Sequence, residues 1–482
     1  MSGSDGGRLP WGHATLAAIS AVSWAFLAMA GIAALGLHLI GADGAGALGP
    51  MTAAAMVLAL GGTVAPSGDI ETFGLKGAEA HSAIDIAPLG VSLVGALLLG
   101  WLFLRSLRSA GATLPGAELA LRAGLVILVF LLLLTGLTWV GNDTITIDSE
   151  TLGLDELGRR AEQELLKRLP EELGDLGQIG AGLLPDRLAG LIDAKASVGF
   201  TVEAGRSLLG GAVWIVAVLL LALLASRRTP LPPGAEALHR TVRPVVSALC
   251  GVLVLAVVAG LVAAVYAAAG DDHPRLVLGT ALLTAPNGVW LGTALGLFVP
   301  WHGSVTGALA RVLPAPFDAL LAGQGDEPIT VGRLAELDGR VWLLVVASVL
   351  MMLAAGVLTA VRTPTEGARP RPLGTTAGVC ALRLGLATAP VLALLVWLTR
   401  VSAGASLSVF GFDAFGAGLE LHGSVPLALL LGAAWGAVSG ALGATITRAA
   451  GAEGRWATPL ARRMARGDGG GGGGDAAKRG HR

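Results

Sequence analysis

Charge is scarce in this chain. Only 14% of its 482 residues are Asp, Glu, Lys or Arg, while 54% are hydrophobic and the mean hydropathy is +0.72. Soluble domains carry about 25% charged residues. The balance excludes an ordinary soluble domain and points to a membrane protein; the expected partner is the lipid bilayer, with no nucleic acid. Cysteine is nearly missing too. Cys250 and Cys380 both lie inside apolar runs, so there is neither a disulfide framework nor a CxxC metal or redox pair. HExxH, Walker A, a glycine fingerprint after a strand and a nucleophile elbow are all lacking, and the eight histidines are scattered without metal-ligand spacing. Neither a cofactor nor a metal nor an enzymatic activity is expected. No cleavable signal is evident, because the first apolar run far exceeds an h-region of about 7–15 residues.

What the chain does have is glycine, 72 of them, and long apolar runs. Small residues let transmembrane helices approach closely; a biased codon usage is the plain alternative. Apolar runs long enough to span a bilayer lie at 12–40, 86–104, 123–141, 208–226, 244–268, 341–361, 378–399 and 425–447. Two more are interrupted. Residues 48–65 are short, with Gly61 and Gly62 near one end and Pro66 just beyond. Residues 276–300 carry Pro286, Asn287 and Gly288 in their middle, with Trp290 close behind. Proline removes a helical donor and glycine lets the chain turn. In lipid such a break persists only where protein or a water-filled cavity satisfies the freed backbone groups.

Topology follows from charge. If both interrupted segments cross, there are ten spans, and the loops bearing Arg105, Arg108 and Arg122 and Arg227, Arg228, Arg240 and Arg243 fall outside, against the positive-inside rule. If neither crosses, eight spans remain. Those loops, the one with Arg362, Arg369 and Arg371, and both termini then face the cytoplasm. The eight-span arrangement is therefore expected: an all-α polytopic integral membrane protein with two re-entrant or broken segments and a small extracytoplasmic layer.

The two halves also align in order. Ala30–Gly31, Gly41 and Asp43 match Ala259–Gly260, Gly270 and Asp272. Arg122 matches Arg383, and Gly211–Trp214 matches Gly432–Trp435. This reads as a tandem 4+4 repeat related by an axis along the membrane normal; chance in a biased composition is the competing account. The divisions are a cytoplasmic 1–11, a first repeat 12–226 with an amphipathic extracytoplasmic insert 142–207, a linker 227–243, a second repeat 244–447, and a basic, Gly-rich tail 448–482. Within the insert, 144–147 and 197–202 look like strands that pair.

Candidate solute or pore residues are Pro286, Asn287, Gly288 and Trp290, with Gly61, Gly62 and Pro66 as their counterpart, because a break offers free backbone groups at depth. A structural kink capped by the Asn287 amide is the plainer reading. Arg122 and Arg383 could hold an anion or an acidic partner; snorkelling to the inner interface is the plainer account. Several stretches, GGTVAPSGDIETFGL (61–75), AIDIAPLGVSLVGALLLGWLFLRSLR (83–108) and APNGVWLGTALGLFVPW (285–301), resemble the streptophobe family of multi-pass membrane proteins. The resemblance implies a plasma-membrane protein and no catalytic residues. Two functions are expected from different classes: a permease or channel-like carrier of a small solute, or a non-transporting envelope scaffold or sensor that works with a second copy of itself or with other envelope proteins.

Overall fold

A computed structural model describes residues 11–44, 46–67, 78–109, 115–141, 143–147, 196–226, 236–306, 328–364, 372–409 and 412–457. The helices are α1 (Trp11–Leu39), α2 (Leu48–Ala59), α3 (Leu89–Arg108), α4 (Gly116–Val140), α5 (Ala204–Ala225), α6 (Glu236–Ala268), α7 (Pro274–Gly296), α8 (Val331–Leu337), α9 (Trp342–Arg362), α10 (Leu373–Leu398) and α11 (Val425–Ala449). Nine of them are long and apolar enough to cross a membrane, consistent with a polytopic membrane protein. Eight coincide with the expected spans, and the ninth is α7. The amphipathic helical part of the 142–207 insert, and the tail from 458, lie outside the described residues.

All-α is too simple a description. Strands β1 (Val64–Ser67), β2 (Ala78–Asp85), β3 (Asp143–Ile147), β4 (Ala196–Val202), β5 (Trp301–Thr306), β6 (Val401–Val409) and β7 (Phe412–Gly423) form one seven-stranded sheet in the order β3-β4-β1-β2-β6-β7-β5. The expected pairing of 144–147 with the strand near 197–202 is present, with Ile145 opposite Val198. Among the described residues, both halves of the chain supply strands to this sheet. The alternation ValSerAlaGlyAlaSerLeuSerVal at 401–409 is the period of a strand. It pairs with β2 along that strand's whole length, from Ala78↔Val409 to Asp85↔Ser402. β2, β3, β4, β6 and β7 adjoin the start of α3, the end of α4, the start of α5, the end of α10 and the start of α11, so the sheet lies at one end of the bundle.

The break expected at Pro286–Asn287 does not occur. α7 runs through both residues as one helix of 23 residues. Proline at 286 frees the Leu282 carbonyl, four residues back. The start of α3 packs there so closely that a Cβ on Gly90 would strike the Leu282 and Leu283 carbonyl oxygens. The neighbouring helix thus fills the opened turn, which is how a bundle tolerates proline at depth.

The turn lies instead at Leu297–Phe298. Leu297 N–H donates to Thr293 O (3.0 Å), Phe298 N–H to Leu295 O (2.8 Å) and Val299 N–H to Ala294 O (3.0 Å). This is a left-handed helix cap with a five-back bond. Phe298 has φ +67°, the only non-glycine positive φ among the described residues. α2 ends in the same way: Leu60 donates to Met56 O (3.1 Å), Gly61 (φ +80°) to Leu58 O (3.1 Å) and Gly62 to Val57 O (2.9 Å). The chain then reaches a strand two residues on in both cases. Thr63 O accepts from Glu203 N–H (3.2 Å) and Pro300 O from Ser424 N–H (3.1 Å), the residues that precede α5 and α11. Val64 faces Val202 and Trp301 faces Gly423.

Two cores result. The first gathers Met29, Leu60, Leu99, Phe130, Leu134 and Ile215, and takes Leu283 from α7. The second gathers Leu297, Trp301, Met352, Leu392 and Val396. One helix therefore serves both. Its first half docks at Gly36 and Gly90, where any Cβ would meet Leu283 or its carbonyl, and its end docks at Gly296 against Ser348.

Candidate functional site

Asn287 lies on α7 where it meets the start of α3. Its side-chain oxygen accepts from Leu89 N–H at 3.1 Å, and its amide donates to Ala87 O at 2.8 Å. Leu89 opens α3 behind Pro88, which has no side-chain cap to offer. The first N–H groups of a helix have no internal acceptor, so Asn287 caps a helix of the other half of the chain. Pro286 is buried beneath it, and Gly288 is exposed with open space where a Cβ would sit. Trp290 is half-buried, and its Nε1 finds no hydrogen-bond partner.

Gly61 and Gly62 pack elsewhere. A Cβ on Gly210 of α5 would strike the Gly61 carbonyl, and one on Gly62 would sit 2.7 Å from Ser207 Oγ. Pro66 lies in β1 opposite Phe200. β1 pairs with β4 through four residues but with β2 only at Val64↔Ile84. A proline supplies no ladder donor, which fits the early end of that second pairing. The two clusters named from the sequence are thus separate packing joints, one on α3 and one on α5.

Among the described residues, a small apolar seam lies inside the second half of the bundle. Thr293, Leu297, Val252, Met352, Ala355 and Leu392 border a seam of about 20 Å³, the size of one water and almost wholly apolar. Val252 and Met352 fall at the middles of α6 and α9, whereas Leu392 lies nearer the end of α10 that leads into β6. Glycine closes the remaining gaps. A Cβ on Gly356 would strike the Ser439 carbonyl, one on Gly443 the Gly356 backbone, and one on Gly440 would come 2.5 Å from Cys380 O.

Arg122 belongs to the end remote from the sheet. It is buried on α4 and pairs with Glu118, with Nη2 to Oε1 at 2.8 Å and Nε to the same oxygen at 3.1 Å. Its Nη1 donates to Ser106 O at 3.0 Å. The Glu118–Arg122 spacing of one helical turn is legible in the sequence and went unused. Arg383 is half-buried on α10, with no hydrogen bond or ion pair among the described residues. The structure does not bring it to Arg122.

Two ion-bearing loops were not singled out from the sequence. Where α1 ends, His38 Nδ1 lies 2.8 Å from Asp43 Oδ2. That hydrogen bond, more than any charge effect, holds the Asp43 carboxyl below its ordinary value of 3.8. The pair shares an open cleft of about 790 Å³ with Asp272 and His273 from the α6–α7 loop and Arg275 from the first turn of α7. Asp43 and Asp272 are positions that match between the halves in sequence. No group of three His, Cys, Asp or Glu suited to a metal exists among the described residues.

Compared with protein-family models, with curated proteins and with solved structures, the chain finds no match in any of the three.

Proposed function

We propose that this chain is a non-transporting membrane scaffold, which holds a rigid sheet at one face of a bilayer. The observation that carries the reading is the β2–β6 ladder. It joins the first half to the second by pairing at every position of β2. Carriers built from repeats work by rocking one half against the other around a central site. Here that motion would have to shear a continuous ladder, pull Leu283 from the first core and break both Asn287 hydrogen bonds. The small apolar seam bordered by Thr293 and Leu392 supports the same reading, because a solute path needs polar groups or water.

In this reading α2 and α7 are re-entrant, entering from the sheet face and turning back at Gly61 and Phe298. α7 then does not cross, eight spans remain, and the arginine-rich loops and both termini face the cytoplasm. The matched caps, the matched Thr63–Glu203 and Pro300–Ser424 bonds and the matched strand starts support a tandem duplication. The stretches that resemble the streptophobe family include both turns and Asn287, so the likeness concentrates on the elements that lock the halves. Segment 148–195 leaves and rejoins the sheet through β3 and β4, and 307–327 follows β5. The partner in this reading is another envelope protein or a second copy of the chain.

Spin labels at Arg108→Cys and Leu373→Cys, in a chain whose Cys250 and Cys380 are replaced by alanine, test the reading. One narrow distance distribution, the same in micelles and liposomes, is expected. Two populations, or a distance that shifts when solutes are added, would favour the permease.

A further inference from the structure

At the end of the bundle away from the sheet, α1, α3 and α4 line an open cavity of about 960 Å³. Pockets of about 300–1,000 Å³ suit small-molecule ligands. Its floor is the Glu118–Arg122 pair, which is neutral as a unit. Its α3 wall ends in Arg105, whose guanidinium lies 5.5 Å from the Trp101 ring centre. Arg105 is exposed and has no acidic partner among the described residues, and Arg108 follows one turn later. The α1 wall brings His13 and Ser20. The hydroxyls of Ser106 and Ser109 are already spent on Phe103 O and Ser106 O, each at 2.8 Å. The groups left to bind a ligand are therefore Arg105, His13 and Ser20, all donors or cations. Apolar surface continues from them: Leu16 and Trp24, 68% and 58% exposed, line the same cavity.

We infer that this cavity holds the headgroup of an anionic phospholipid from the adjoining leaflet. The phosphate sits against Arg105, with His13 and Ser20 as flanking donors, and the acyl chains leave over Leu16 and Trp24. Exposed tryptophans belong at the headgroup level of a bilayer, and Trp24, which lines the cleft, and Trp101, beside Arg105, are both more than half exposed. Charge decides between lipids. A phosphatidylcholine would bring its ammonium to a site whose only carboxylate, Glu118, is already bound to Arg122 at 2.8 Å. A phosphatidylglycerol brings a net negative charge and a hydroxylated head.

The experiment is native mass spectrometry of the full chain in detergent, with phosphatidylglycerol and phosphatidylcholine of identical acyl chains. Preferential retention of phosphatidylglycerol is expected. Arg105→Gln should reduce it about fivefold, the worth of one arginine near an anionic surface, and Arg105→Lys should keep most of it. Because Arg105 is exposed, unchanged helical circular dichroism is expected in both variants. Equal retention of the two lipids by the unmodified chain would overturn the inference without reference to any variant. So would Arg105→Gln behaving as the unmodified chain. Displacement of phosphatidylglycerol by millimolar inorganic phosphate would assign the site to a free anion and overturn the lipid assignment.

Discussion

Asn287 caps Leu89 from 198 residues away, its side-chain oxygen 3.1 Å from the backbone nitrogen that opens α3. The same amide returns 2.8 Å to Ala87 O. One side chain thus ends one helix's exposed donors while fastening it to another. Asn287→Ala leaves a donor and an acceptor unpaired in a part-buried site and should cost about 2–4 kcal/mol. Thermal unfolding in detergent, followed by circular dichroism, measures it. Asn287→Asp should fall at least as far, because a carboxylate has nothing to donate to Ala87 O.

The two matched turns give a reciprocal pair of tests. Gly61 at φ +80° has no atom closer than 3.8 Å to a new Cβ. Gly61→Ala should therefore cost only the left-handed backbone penalty, about 1–2 kcal/mol. Phe298 already bears that penalty at φ +67°. Phe298→Gly should relieve it at the expense of unfolded-chain freedom, for a net gain of up to about 1 kcal/mol. An unfolding midpoint that falls for Phe298→Gly would show that the exposed ring contributes more than the backbone strain costs.

Glycine counts differ from glycine roles. Gly356→Ala would drive a methyl into the Ser439 carbonyl, backbone against backbone with no flexible side chain to yield. The expected loss is about 3 kcal/mol. Gly251, in α6, has nothing within 4 Å of a Cβ, so Gly251→Ala should stabilise by about 0.5–1 kcal/mol through helix propensity. Comparing the two midpoints separates packing glycine from compositional glycine.

At the far end, the Glu118 and Arg122 side chains are only 13% and 8% exposed. Arg122→Ala strands a carboxylate there and should cost about 3 kcal/mol. Glu118→Ala with Arg122→Ala should cost less than Arg122→Ala alone. A double-mutant cycle on unfolding free energy reads the coupling, and additive losses would argue against a desolvated pair.

Much of the helical frame is legible in the residues. Long apolar runs admit few alternatives, and each expected span has its helix within several residues of the expected bounds. The alternation in ThrIleThrIle and SerValGlyPheThrVal likewise foretold a real strand pair. The β6–β7 hairpin was passed over because small residues, Ala, Gly and Ser, carry its period without strong hydrophobic contrast. The turn in α7 was misplaced for a physical reason. Proline and glycine are the usual signs of a break, yet Pro286 is accommodated by α3, and the real turn is made by a phenylalanine that no propensity marks. The Asn287 role was legible only in part: a capping amide could be expected, but its target lies in the other half of the chain.

The strand order also governs the sequence in which the sheet can close during synthesis. β5, made at 301–306, pairs in the sheet only with β7 at 412–423, apart from one bridge between Trp301 and Ile329. β2 likewise waits for β6 to complete its second edge. Through the making of α9 and α10, two hydrogen-bonding edges stand open on the same face of the membrane. Open edges invite pairing with other chains. The hairpin that arrives next to last in the described chain fills both at once, so the assembly of this protein is finished from its C-terminal side.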